Sequence, residues 1–585
     1  MNLIYNIEKL VKPLKVLVTL WSYLWCSDKK IRFNLVSSIV FNFFAVIASV
    51  IAPVIFSYFI DTFSPLLSIS QKNTWFFTLL IIYIGIWSLS KIFIYFREIM
   101  MFPVMERAIR LLASKLFQHI QLLPFQHHLK RKTGETLSII EIAIQSFPPI
   151  VWSLAFTVGP LIIESICIFG VITFICNIYY SFILIMCLVF YVLTTRWAFK
   201  KALRPMRKAS FFHLTTSSEI VDSLLNFSSI KYFYTYDYEF QKIDQVLDSR
   251  EEKVTYSLIK NQMIRVYQSL ILSITFLILL MYSGYNLIFN NLTLGEFIML
   301  HTYMLQFAIP LEGFGQIFQI LNQSFVKMER ALKVFDTPLE SNNKFIKLDQ
   351  NPSLHIVFDN VWFGYKKEKP ILKGLSFELL PQQTLAIVGE TGSGKSTIVS
   401  LLLGFLEPWE GRILINGYDV RDVNQESLIK LVGIVPQEVN LFNDTIAHNI
   451  LYANMSANQK ILMDAIAAAS LKDTIEKLPN GLETVVGERG LQLSGGEKQR
   501  IGLARAILRQ PKLYIFDEAT SSLDSKTEKQ IIKNIESISS NASAFIVAHR
   551  LSTVAFADRI ILLEKGVIKE KSYSSLLKEE KNIIV

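Results

Sequence analysis

Charge is scarce in this sequence: Asp, Glu, Lys and Arg make up 18% of its 585 residues, where a soluble protein carries about 25%. That shortage argues against an ordinary soluble chain, as do the 51% hydrophobic content and the mean hydropathy of +0.37. Cysteine is scarcer still. There are four (Cys26, Cys167, Cys176 and Cys187), none in a CxxC pair. Neither a disulfide framework nor a zinc site is encoded, and three of the four lie in apolar runs as small hydrophobes. No internal repeat is found, and no Arg/Ser-rich, acid-poor segment opens the chain, so an organellar transit peptide is not expected. The N-terminal piece from Lys15 to Lys30 sets Trp21, Tyr23 and Trp25 between lysines but has no small-residue cleavage site. It reads as an interfacial helix.

What the chain has in abundance is long apolar runs. A helix needs about 20 apolar residues to cross the hydrocarbon core, because its backbone polar groups must be satisfied within the segment. Six stretches qualify: Ile31 to Ile60, Thr74 to Phe96, Phe147 to Ile175, Tyr179 to Phe199, Met263 to Phe289 and Leu294 to Phe318. The links after the first, third and fifth are short, with Lys72 their only basic residue. The other two links are long and basic, carrying Arg97, Arg107, Arg110 and Lys115 in one and Arg196, Lys200, Lys201 and Arg204 in the other. The positive-inside rule puts these links and both chain ends in the cytoplasm. Their composition predicts helical extensions of the spans, with tips near Gln121 to Thr136 and Tyr232 to Lys242. The net charge of +10 therefore tracks the span ends, and a nucleic-acid partner is excluded. The lipid bilayer is the expected surrounding.

Beyond Phe335, and after a polar linker, short β-branched runs alternate with helical patterns: Thr384 to Val388, Arg412 to Ile415, Leu513 to Phe516 and Ala544 to Val547. This is the pattern of a parallel sheet with crossover helices. Between a strand and a helix stands Gly389-Glu390-Thr391-Gly392-Ser393-Gly394-Lys395-Ser396, followed by Thr397. Glycines at this spacing let backbone N–H groups and a helix N-terminus face phosphate oxygens. Lys395 then reaches the β and γ phosphates and Ser396 ligates Mg²⁺. The run Leu513 to Phe516 ends in Asp517-Glu518, which brings two carboxylates to the sheet edge beside that loop. Asp517 suits the Mg²⁺ shell and Glu518 the base that polarises an attacking water. ATP and Mg²⁺ are the expected cofactors.

About twenty residues earlier lies Leu493-Ser494-Gly495-Gly496-Glu497-Lys498-Gln499-Arg500. With Gln437, Ser522-Leu523-Asp524 and His549, it resembles the nucleotide-binding domain of the ATP-binding cassette superfamily. The resemblance implies that two such domains close head to tail. Each ATP then lies between one chain's phosphate loop and Ser494, Gly495, Gly496, Glu497 and Asp524 of the other. It further implies that Tyr365 stacks on adenine, that Gln437 contacts Mg²⁺ and the water, and that His549 contacts the γ phosphate. One copy of each motif implies a dimer of chains, with a second copy of itself or a different half as partner.

Six spans followed by a cassette resemble a half-size exporter. The implied fold is a six-helix all-α transmembrane exporter domain followed by an α/β P-loop nucleotide-binding domain. The expected boundaries are an elbow helix over 1–30, the spans with their long intracellular helices over 31–335, a linker over 336–352 and the cassette over 353–585. The stretches Phe125 to Gly134, Val158 to Glu164 and Val221 to Phe233 resemble the ATM/heavy-metal-tolerance branch, whose members are tied to iron-sulfur assembly and to glutathione-linked sulfur or metal species. That branch uses arginines at the end of the fourth span and Asn-x-x-Gln at the start of the fifth; here Arg196, Lys200, Gln262 and Arg265 stand there. Span-end anchoring and cargo binding both account for the basic residues. Glu164, Glu312 and Arg265, ionisable groups within or near spans, are expensive unless they face a cavity or a partner. Snorkelling also accounts for Arg265 and helix orientation for Glu164, and the reading taken is a cationic inner cavity for an anionic or zwitterionic small-molecule cargo. Export of a peptide, lipid or hydrophobic drug remains open, as does an ATP-gated membrane protein without transport. The expected location is a bacterial inner membrane, with the cassette in the cytoplasm.

Overall fold

A computed structural model describes residues 16–25, 28–62, 69–125, 127, 133–289, 291–339, 346–349, 354–366, 368–390, 392–487, 490, 493–519, 525–539, 542–548 and 554–570. The chain divides into two compact units, one of residues 1–121 and 133–337 and one of 122–132 and 338–585.

The first unit is helical. After a helical run over 16–24 come α1 (Lys29–Asp61), α2 (Ile69–Gln121), α3 (Thr133–Ser153), α4 (Gly159–Ile175), α5 (Ile178–Leu225), α6 (Phe227–Phe233), α7 (Tyr236–Ile288) and α8 (Leu294–Leu332). At 53, 48 and 53 residues, α2, α5 and α7 far exceed a membrane crossing, so the basic links are indeed continuations of the spans. Tyr234, in left-handed backbone at φ 53°, ends the excursion of α5 and α6 and lets α7 return. The apolar runs bury one another only in part: Tyr180, Tyr191, Leu279, Tyr303 and Phe307 form an interior cluster, while Ile81, Ile166, Phe174 and Met281 are exposed. Apolar surface on this scale belongs against lipid or another chain.

Two details differ from the sequence reading. The third span is not one α-helix but α3, a π-helical turn at Leu154–Val158 and α4. The Gly159 N–H reaches back to the Leu154 carbonyl, and Pro160, next in the chain, has no N–H to resume the α pattern. Further, five helical stretches are long and apolar enough to cross a membrane among the described residues, and α8, the expected sixth span, is not one of them. Glu296, His301, Gln306, Glu312, Gln316 and Gln319 interrupt its apolar surface. It is nonetheless one continuous helix of 39 residues, entered through a Thr293/Glu296 capping box. Asp61, closing α1, accepts from Thr293 Oγ1 and Gly295 N, each at 2.9 Å.

The second unit holds two sheets. One is antiparallel, order β2-β1-β4-β5, from β1 (Ile356–Phe363), β2 (Leu372–Leu379), β4 (Glu410–Ile415) and β5 (Tyr418–Asp419). The other runs β10-β9-β3-β8-β7-β6, from β3 (Thr384–Val388), β6 (Val432–Val435), β7 (Leu513–Asp517), β8 (Ser543–Ala548), β9 (Arg559–Glu564) and β10 (Val567–Glu570). It is parallel from β9 to β6. β3, β7 and β8 are buried throughout, which is why they read as continuous apolar runs. Arg412 to Ile415 is a correction: it pairs antiparallel with β1, and its alternating burial is that of a strand covered on one face. The helices are α9 (Lys395–Leu402), α10 (Gln425–Leu431), α11 (Ile446–Leu451), α12 (Gln459–Ala468), α13 (Lys472–Glu476), α14 (Gly495–Leu508) and α15 (Ser525–Ser539). Residues 122–132 count with this unit, and the Phe125 ring stacks on Phe405 at 4.8 Å.

Candidate nucleotide site

The buried strand β3 delivers the chain to Gly389, and α9 starts at Lys395. Between them Gly392 and Gly394 take φ +82° and +109°, the left-handed region that side chains disfavour. A side chain on Gly389 would collide with the Leu563 carbonyl of β9, and one on Gly394 would come 2.8 Å from Leu372 Cδ2. The loop is therefore a bare backbone cradle ending on a helix N-terminus, where N–H groups lack intrahelical partners. Among the described residues Ser393 Oγ is buried there without a hydrogen-bond partner. A buried hydroxyl in that condition is costly, and a phosphate oxygen would satisfy it.

Lys395 is buried, and its Nζ donates to the carbonyls of Gly389 and Glu390 at 2.8 and 2.9 Å. Burial lowers its pKa from the ordinary 10.5, opposed by the charges of Glu518 and Asp517. The ammonium thus sits at the loop with both carboxylates in electrostatic reach. Thr397 is buried in the first turn of α9, Glu390 is exposed, and Thr391 lies outside the described residues.

Strand β7 is separated from β3 by β8 and carries Asp517 at its end. Ser396 Oγ donates to Asp517 Oδ1 at 3.4 Å, so the hydroxyl and carboxylate suited to Mg²⁺ are adjacent. Two hard oxygen donors beside a phosphate cradle fit that ion. Next in the chain, Glu518 adopts φ 51° and anchors its N–H on the Val547 carbonyl of β8 at 2.9 Å. A left-handed glutamate costs about 1 to 3 kcal/mol and persists where its surroundings fix it. Here the twist turns Glu518 toward Gln437, which follows β6 and donates through Nε2 to Glu518 Oε2 at 2.7 Å.

Ser494 caps α14: its Oγ accepts from Glu497 N at 3.3 Å and donates to Glu497 Oε2 at 2.8 Å, and its own N–H bonds the same carboxylate at 2.7 Å. Ser494 and Gly495 are exposed at this capped helix N-terminus. Tyr365 is 58% exposed and edge-on to Phe363 at 5.5 Å, a ring available for stacking. Asp524 and His549 fall outside the described residues. The sequence reading overlooked Gln499, buried on α14 with Nε2 3.5 Å from the Glu518 carbonyl; its place five residues after Ser494 was the available signal.

In the membrane unit the expected cavity residues lie on α4, α5, α7 and α8. Arg196 and Lys200 are exposed one turn apart on α5. Beside Arg196, Thr195 Oγ1 accepts from Gln268 of α7 at 2.8 Å. One turn from Gln268, Arg265 Nη2 donates to Gln316 of α8 at 3.3 Å, and Asn261 donates to Gln319 at 2.9 Å. Gln262 and Glu312 are exposed on α7 and α8. Glu164 of α4 accepts from Ser49 Oγ of α1 at 3.1 Å.

A phosphate-binding α/β unit on the same chain as membrane-length helices is the make-up of an ABC transporter. Residues 372–521 match the family ABC transporter, and 35–311 match the ABC transporter transmembrane region. The chain is 35% identical over 490 residues to an ATM1-type heavy metal exporter of Novosphingobium aromaticivorans, covering 83% of this chain and 80% of that one. It is 33% identical over 574 residues to the human mitochondrial iron-sulfur clusters transporter ABCB7, covering 95% and 76%. A solved bacterial Atm1-family ABC exporter with ATP bound superposes with TM-score 0.84 at 32% identity, covering 94% of this chain and 97% of that one. The chain belongs to the ABC transporter family and is a half-size exporter of the Atm1/ABCB7 type. It is a multi-pass membrane protein whose ATPase drives transport.

Proposed function

We propose that two copies of this chain form the working exporter, each ATP lying between one copy's Gly389–Thr397 loop with Tyr365 and the other's Ser494, Gly495, Gly496, Glu497 and Asp524. The exposed N-terminus of α14 supports this, as do the aromatic rings of Tyr232, Phe233 and Tyr234 at the link tip, 78 to 83% exposed. Ser396, Asp517 and Gln437 would hold Mg²⁺, which would supply charge neutralisation at the phosphates. Glu518, oriented by Gln437, takes the proton of the attacking water, and His549 holds the γ phosphate. Lys395, released from the loop carbonyls, pairs with the phosphate charge.

The boundaries proposed from sequence, 1–30, 31–335, 336–352 and 353–585, assign these roles to one cassette per chain. The location proposed is a bacterial inner membrane with the cassette in the cytoplasm. The cargo proposed is a glutathione-linked sulfur or metal species, in line with the heavy-metal and iron-sulfur names of the relatives. The observation that carries it is Arg265, exposed on α7 and held there by Gln316 of α8, a guanidinium suited to carboxylates. Transport of glutathione disulfide into proteoliposomes whose cassettes face outward tests the reading. ATP-dependent accumulation supports it, and accumulation only of lipophilic cations or peptides refutes this cargo while leaving the exporter.

A further inference from the structure

We infer that Arg505 is a positioning residue for ATP hydrolysis, acting from the signature helix α14 on the loop that carries Gln437. The inference rests on the role given above to Gln437.

From Gln437 to the cap of α11 at Thr445 the chain has no regular structure, so little of its own backbone pairing fixes the amide that touches Glu518. Besides the backbone bridge of 444–446 to 484–486 and the burial of Val439 and Leu441, two side chains order it. Asn449 is fully buried: its Nδ2 donates to the carbonyls of Phe442 and Thr445 at 3.0 Å each, and its Oδ1 accepts from Phe442 N at 2.9 Å. It closes residues 442–449 into a ring. Arg505 then fastens that ring to α14: Nε donates to the Asn449 carbonyl at 2.5 Å, Nη2 to Asn449 Oδ1 at 2.8 Å and Nη1 to the Asn440 carbonyl at 2.8 Å. A planar guanidinium donating three ways has directions that a lysine cannot reproduce.

A second contact on the same helix face is independent of charge. Gly502, three residues before Arg505, is where Val439 rests; a Cβ there would come 2.6 Å from Val439 Cγ2. Gln499, three residues earlier again, reaches the Glu518 carbonyl at 3.5 Å. Positions i, i+3 and i+6 of α14 thus line up along the loop and the end of β7. The helix is continuous from Ser494, so Arg505 lies about 16 Å along a rigid rod from the signature serine. A tilt of that rod carries Asn440 and Val439 with it, and through them Gln437. A main-chain carbonyl and a valine methyl set where the amide points.

The test uses full-length protein in lipid nanodiscs. Arg505→Lys keeps the charge and loses the fork, and Gly502→Ala lifts Val439 while leaving the Arg505 bonds. Each is expected to lower the kcat of ATP hydrolysis by about tenfold or more, as small misplacements of catalytic groups do. Affinity for trinitrophenyl-ATP, read by fluorescence in the Glu518→Gln background, is expected to stay unchanged. The double variant Gln437→Ala/Arg505→Lys is expected to be no slower than Gln437→Ala alone, because both act through one group. Losses that multiply in the double variant, or an affinity loss matching the kcat loss, overturn the positioning role. If Arg505→Lys does not fold, Arg505→Gln, which cannot make the three bonds of the fork, takes its place: a wild-type kcat there overturns the proposal. A wild-type kcat for Gln437→Ala overturns the premise about Gln437, a failure distinct from that of Arg505.

Discussion

Gln437 donates its amide proton to the carboxylate of Glu518 at 2.7 Å, joining the ends of two neighbouring parallel strands, β6 and β7, at the mouth of the phosphate loop. The contact holds the carboxylate of a residue proposed to take the proton of a water. Glu518→Gln is expected to lower kcat by at least about a hundredfold, the usual weight of a general base. ATP affinity is expected to persist, since Gly389 to Ser396 bind without it. Phosphate release in nanodiscs, with nucleotide binding measured in parallel, checks both.

Lys395 gives a pH dependence of opposite sign for binding and for stability. Its folded pKa lies below the ordinary 10.5, so between the lowered value and 10.5 the unfolded chain binds the extra proton. Stability from this group therefore rises with pH across that window, while the ammonium needed by phosphate is lost. ATP affinity is expected to fall toward alkaline pH earlier than for a free lysine, without loss of the cassette's melting temperature from this group. Nucleotide titrations and thermal melts of wild type and Lys395→Met, run at the same pH values, separate the two.

The turn between α7 and α8 depends on Gly295. A side chain there meets the Ser57 carbonyl and comes 2.8 Å from the Asp61 carboxylate, the group that accepts from Thr293 and Gly295. Gly295→Ala is expected to destabilise the membrane unit by about 1 to 3 kcal/mol, the cost of overpacking. A lower melting temperature in nanodiscs shows it.

Arg265 distinguishes cargo recognition from mere span anchoring. If its guanidinium meets a carboxylate of the cargo, Arg265→Met is expected to raise the half-stimulating concentration of glutathione disulfide by about tenfold or more, the worth of a charged hydrogen bond. An anchoring role leaves that concentration unchanged.

Much of the nucleotide site was legible because it is local. Gly389 to Ser396 are consecutive, and Asp517-Glu518 end a strand whose burial on both faces spells itself out as an apolar run. The lengths of α2, α5 and α7 were legible from basic links with helical spacing. What escaped the sequence depends on distant partners. The π turn at Leu154–Val158 comes from a backbone bond accepted by Leu154, which no side-chain pattern records. The antiparallel pairing of Arg412 to Ile415 with β1 is a choice of neighbour. Arg505 looked like any helix arginine because its three acceptors lie 56 and 65 residues away. Thr391, Asp524 and His549 rest on their motifs alone.

The central claim is that hydrolysis at this site drives cargo outward. It is tested most directly by the ATPase activity of the purified protein in lipid nanodiscs, wild type beside Glu518→Gln, titrated with glutathione disulfide and glutathione-metal complexes. The account predicts hydrolysis that these species stimulate in the wild type and that is absent in Glu518→Gln. Hydrolysis indifferent to Glu518, or none in the wild type under any condition, would contradict it.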